Sequence, residues 1–101
     1  MIFEIEENVT FEILDSKMSC DGNYHIYFGV RETGERWRLV CSDNGMKWER
    51  LMPDYSYTTK GMPTIYGVNY PPLKEFFDYA KNMKKLAEYE VITKAIKNLI
   101  G

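Results

Sequence analysis

The chain offers very little from which a catalytic or metal centre could be built. Its one histidine is His25, and its only cysteines are Cys20 and Cys41. Zinc takes four ligands, usually from closely spaced Cys or His pairs. No such spacing is present, so no metal and no cofactor are expected. Two cysteines do not make a disulfide framework, and reduced thiols are the expectation. A Cys20–His25 nucleophilic pair would need a third group to orient it, and the sequence does not supply one. The glycines are scattered among turn signals, so there is no phosphate-cradling loop. Glu4, Glu6 and Glu12 read as a solvated strand face, not as carboxylates whose environments drive their pKa values apart. The expectation is a protein that is not an enzyme.

Other absences narrow the setting. No stretch approaches the ~20 apolar residues of a membrane span. The opening MIFEIEEN has no positive region ahead of an apolar run, so it is not a signal peptide. A cytoplasmic location is expected. Basic charge is also scarce where a phosphate backbone would want it. The net charge is -2, and residues 1–50 carry ten acids against six bases. That balance opposes nonspecific nucleic-acid binding, which needs a basic footprint. It suits solubility or docking on a basic protein surface.

What the chain does have is pattern, in a length that fits one domain, residues 1–101. Phe3 and Ile5 alternate with Glu4 and Glu6. Val9, Phe11 and Ile13 alternate with Thr10 and Glu12. Period-two alternation with aromatic and β-branched residues reads as half-buried strands. Tyr24–Arg31 continues it, with Tyr24, Ile26, Phe28 and Val30 on one face. Arg36–Ser42 follows, with Trp37, Leu39 and Cys41 facing in. A short strand lies around Met46–Leu51. Turn residues punctuate the series at Glu7-Asn8, Asp21-Gly22-Asn23, Glu32–Glu35 and Asp43-Asn44-Gly45.

The period then changes. Pro71-Pro72 marks a helix start. Leu73, Phe76, Phe77, Ala80, Met83 and Ala87 fall on one helical stripe. Val91, Ile92, Ala95, Ile96 and Leu99 form a second, rotated stripe. Lys84 sits within the first stripe's arc. This predicts either one long helix or a break near Lys84–Tyr89. Strands followed by helix predict an α+β fold: an antiparallel sheet of four to five strands over residues 2–51, covered by one long or two shorter helices over 72–100.

Asp43, Gly45 and Trp48 resemble the Asp-box, the Ser-x-Asp-x-Gly-x-Thr-Trp hairpin of sialidase-like propellers. The wider stretch Tyr24–Arg50 is similar to one propeller blade of a glycoside hydrolase. Cys41 stands where Ser is usual and Lys47 where Thr is usual. The resemblance covers under a third of the chain, and a propeller needs several blades. It implies a structural hairpin, with Asp43 and Gly45 shaping the turn and Trp48 packed beneath it, and no catalysis.

The stretch Pro53–Pro72 stands apart. It holds all four prolines, two glycines and Tyr55, Tyr57, Tyr66 and Tyr70. Long connections in compact domains are usually functional or disordered, and disordered segments are poor in aromatics. Tyrosine supplies large contact area at low entropic cost. Tyr55, Tyr57, Met62, Tyr66 and Tyr70 are therefore the candidate partner-binding residues. The expected function is a small protein-binding module that masks a partner surface, of the inhibitor or immunity type carried by phages and mobile elements. The alternative is a single-stranded nucleic-acid-binding domain using Arg36, Arg38, Lys47 and Arg50 beside Tyr27 and Trp48. A small enzyme or enzyme subunit is a further alternative. The helix is a candidate homodimer surface.

Overall fold

The structure, a computed structural model, describes residues 1–59 and 71–100. Six strands form one antiparallel sheet in chain order: β1 (Ile2–Glu6), β2 (Val9–Met18), β3 (Tyr24–Val30), β4 (Arg36–Ser42), β5 (Gly45–Leu51) and β6 (Tyr57–Thr59). A 3₁₀ turn at Pro71–Leu73 leads into a single helix, α1 (Lys74–Ile100). The fold is α+β. The sixth strand lies beyond the range that alternation marks out, within the tyrosine-rich stretch. The helix does not break at Lys84–Tyr89. Lys84 Nζ instead donates to Asp43 at 2.9 Å and to Glu88, so its charge is met where it lies.

Register places the apolar alternation on one face. Tyr24 lies opposite Cys41, Ile26 opposite Leu39 and Phe28 opposite Trp37. Leu39 in turn faces Trp48, and Phe11 faces both Phe3 and Val30. The turn between β1 and β2 is Glu7-Asn8, with Asn8 at φ 63. Asparagine tolerates this left-handed conformation better than most residues. In β2 the register shifts between Ile13 and Asp15. The extra residue, Leu14, is left exposed, while Ile13 stays against the core.

The core forms where α1 crosses this face. Leu73, Phe76, Phe77 and Ala80 are buried together with Ile5, Phe11, Ile26, Phe28, Trp37 and Leu39, with Phe3 and Ile13 packed at the margin. The stripe read from the sequence is the one the sheet covers. Phe76, 0% exposed, meets Phe3, Phe11 and Phe28 edge-on at 5.5, 5.2 and 5.2 Å and stacks on Trp48 at 6.1 Å. Such pairs add to the area term for burying an aromatic ring.

The helix outruns this contact. Its 27 residues span ~40 Å at 1.5 Å each, whereas a seven-residue strand such as β4 spans ~23 Å. Burial ends accordingly. Phe76, Phe77 and Ala80 are buried, while Leu86, Tyr89, Ile92, Ile96, Leu99 and Ile100 are exposed.

Candidate protein interface

The face of the sheet away from α1 carries its own packed layer. Period two sends His25 and Tyr27 of β3, Arg38 and Val40 of β4, and Lys47 and Glu49 of β5 to this side. Tyr57 of β6 joins them. Arg38 sits at the centre. Its Nε donates to Glu49 Oε1 at 2.6 Å, and its guanidinium lies 4.1 Å over the Tyr57 ring. Tyr57 meets Tyr27 edge-on at 5.9 Å. Tyr27 lies 3.3 Å from His25 Nδ1 through its hydroxyl and carries Lys17 over its ring at 5.3 Å. Val40, His25 and Glu49 are buried, although α1, the one α-helix among the described residues, packs on the opposite face.

The charges of this layer are matched internally. Burial opposes ionisation of Glu49, but the hydrogen bond and charge of Arg38, aided by Lys47, hold its carboxyl below the ordinary value. Burial, with the charge of Arg38, pushes His25 below its ordinary pKa. Burial raises the Tyr57 phenol, with Tyr27 adding to the effect and Arg38 opposing it.

Beside this layer stands Tyr55. The turn from β5 to β6 is tied by Met52 N to the Ser56 carbonyl at 2.7 Å and by Tyr55 N to the Met52 carbonyl at 2.8 Å. Asp54 Oδ1 accepts from Ser56 N at 3.0 Å and Ser56 Oγ at 2.6 Å. This geometry forces Tyr55 to φ 67. A side chain at left-handed φ is unfavourable by roughly 1–2 kcal/mol. The ring gains no burial in return, being 85% exposed. It borders a shallow depression lined by Gly34, Glu35, Arg36, Leu51, Met52 and Pro53.

Of the tyrosine-rich candidates, Tyr55 and Tyr57 are thus at one end of the sheet face opposite α1, one exposed and one half-buried. Met62, Tyr66 and Tyr70 lie outside the described residues. Of the basic candidates, Arg36, Arg38 and Lys47 share the face opposite α1. Arg50 pairs with Trp37 on the helix-covered side and lies 5.9 Å over its ring. Arg38 and Lys47 both reach Glu49, so two of these three candidates already have an acidic partner.

The Asp-box-like hairpin keeps the expected fold but changes the parts. Gly45 takes φ 138, and Ser42 Oγ donates to the Gly45 carbonyl and accepts from Asn44 N. Asp43 turns outward to Lys84 instead of closing the turn. Trp48 packs against Phe28, Phe76 and Phe77.

Between this hairpin and α1 is an open cleft of about 850 Å³ reaching Cys41, Met46, Phe77, Lys81 and Lys84. Burial pushes the Cys41 thiol up to about 11. Hydrogen bonds to Glu88 and Asp43 push Lys84 up to about 12. Neither group is poised to move a proton near neutral pH, and His25 is on the other side of the sheet. Cys20 is exposed and apart from Cys41. Among the described residues no three His, Cys, Asp or Glu side chains gather as a metal site, and no helix is long and apolar enough to cross a membrane.

Comparison of the chain with family models, with curated proteins and with solved structures finds no match. The functional reading therefore rests on the geometry above.

Proposed function

We propose that this chain is a protein-binding module that recognises its partner with the sheet face opposite α1 and the turn beside it. Tyr55 carries the reading. A glycine would suit φ 67 without strain, and the tyrosine ring buries nothing within the chain. Strained residues persist where something other than folding requires them. An exposed aromatic ring at a rigid turn is the geometry of a contact residue. Its neighbours agree in type: Tyr and Arg are the residues enriched in interface hot spots, and Tyr27, Tyr57, Arg36 and Arg38 lie on the adjoining face. Binding here would mask a partner surface without chemistry, the mode expected of an inhibitor. The nucleic-acid reading draws less support, because Glu49 engages Arg38 and Lys47.

The test is photo-crosslinking from position 55 in the cells that supply the gene. A benzoylphenylalanine there is expected to form an adduct with a protein of defined mass. Adducts with nucleic acid, or none when an exposed control position also gives none, would contradict the reading. Tyr55→Gly separates binding from folding. Partner capture should be lost while the melting temperature holds or rises. A clear fall in melting temperature would make Tyr55 structural.

A further inference from the structure

We infer that two copies of this chain pair antiparallel through the C-terminal half of α1. The inference is independent of the sheet-face reading and rests on a different surface. Six side chains define it: Leu86, Tyr89, Ile92, Ile96, Leu99 and Ile100, each half to nearly nine-tenths exposed. At ~100° per residue they centre roughly 170° around the axis from the line of Phe76, Ala80 and Ala87 that meets the sheet. This chain's own sheet cannot cover them while it holds the core.

The spacing identifies the kind of partner. Tyr89, Ile92, Ile96 and Leu99 recur at intervals of three, four and three. That is the a/d pattern by which one helix packs along another. Ala95 and Thr93, beside the seam, are small enough for close approach. A second copy carries the same seam, and a self-complementary patch is what a twofold interface requires.

Area agrees with this occupant. The five from Tyr89 to Ile100, which an antiparallel partner can reach, present on the order of 500 Å² per copy, at ~100 Å² each. Two copies would bury on the order of 1,000 Å², about what a specific interface must clear. A continuous apolar patch of this size exceeds most that monomers leave bare.

Charge sets the direction. The segment opens with Glu88 and Glu90 and closes with Lys97. Lys85 lies on the seam's own line just before it begins. A parallel pair would set Lys85 against Lys85 and like charge against like along the flanks. An antiparallel pair lays the acidic end of each helix beside the basic end of the other, with Tyr89 near the partner's Leu99 and Ile92 near its Ile96.

Sedimentation equilibrium of the full chain at about 100 µM, where even a micromolar dimer is populated, should give twice the chain mass. Ile96→Glu should weaken the pair at least tenfold and leave the melting temperature of the dilute protein unchanged. In a Cys20→Ser background, mixing Tyr89→Cys with Leu99→Cys chains should yield the mixed disulfide in preference to the Tyr89→Cys homodimer. A monomer at that concentration would overturn the inference and leave the seam to a different partner. So would a dimer indifferent to Ile96→Glu, or one that cross-links 89 to 89.

Discussion

The two halves of α1 are built on opposite plans. In the first, the line toward the sheet is Leu73, Phe76, Phe77, Ala80 and Met83, and the outward line is Lys74, Asp78, Lys81 and Lys85. In the second, Lys94, Asn98 and an exposed Val91 fall on the line that faced the sheet, while Tyr89, Ile92, Ile96 and Leu99 face outward. The amphipathic direction reverses within one unbroken rod. A helix serving only its own fold would keep one apolar side. The reversal separates residues that hold this fold together from residues available to something outside it. Lys84 marks the changeover, fastening the helix to the β4–β5 hairpin through Asp43 as the sheet runs out.

Core truncation gives the largest expected effect. Phe76→Ala removes the ring that meets Phe3, Phe11, Phe28, Trp48 and Phe77 and should cost on the order of 3–5 kcal/mol, as should Phe28→Ala. Urea denaturation measures both. A loss below about 1 kcal/mol for Phe76 would mean the first half of α1 is not the core element described here.

Next in size is the difference in amide exchange along the helix. Amides over Phe76–Met83 should open only with global unfolding, whereas those over Ile92–Leu99 in the dilute monomer should exchange by local fraying. Hydrogen exchange read residue by residue checks this. Equal protection in both halves would erase the comparison.

Smallest is the titration of the changeover itself. The hydrogen bond and charge of Lys84 hold Asp43 below its ordinary value of 3.8. A carboxylate depressed on folding stabilises above its unfolded pKa, and that contribution is lost as pH falls through the folded one. Asp43 should therefore titrate below 3.8 in the native chain and return toward it in Lys84→Met. Carboxyl carbon shifts followed by NMR report the midpoint. An unchanged midpoint would mean Lys84 does not anchor the helix there.

Much of the fold was legible because its signals are periodic. Phe3, Phe11, Ile26, Phe28, Trp37 and Leu39 declare their common face by alternation, and Phe76, Phe77 and Ala80 declare theirs by helical spacing. Strand β6 was not legible, since Tyr57–Thr59 is too short to show a period and follows a proline-containing turn. Lys84 read as a possible break because its partners, Asp43 and Glu88, include one 41 residues away. The second stripe was visible as Val91, Ile92, Ala95, Ile96 and Leu99. Its lack of cover depends on strand length against helix length, which no local pattern states. The three-four-three spacing would have added Tyr89 to it.

The binding face was legible only in its parts. Tyr55 and Tyr57 stood out by composition. Nothing in the letters around Tyr55 gives the left-handed φ, because that follows from the hydrogen bonds of Met52, Asp54 and Ser56. The network of His25, Tyr27, Arg38 and Glu49 depends on strand register, which pairs Tyr27 with Arg38 and Arg38 with Glu49, each 11 positions apart.

The claim that the second half of α1 stands outside the folding unit is tested most directly by the unfolding free energy of Ile92→Ser/Ile96→Ser, measured at about 1 µM chain. The predicted value lies within about 0.5 kcal/mol of the native chain, as for surface positions. A loss of about 2 kcal/mol or more, the mark of buried aliphatic side chains, would place both residues in this chain's own core and contradict the account.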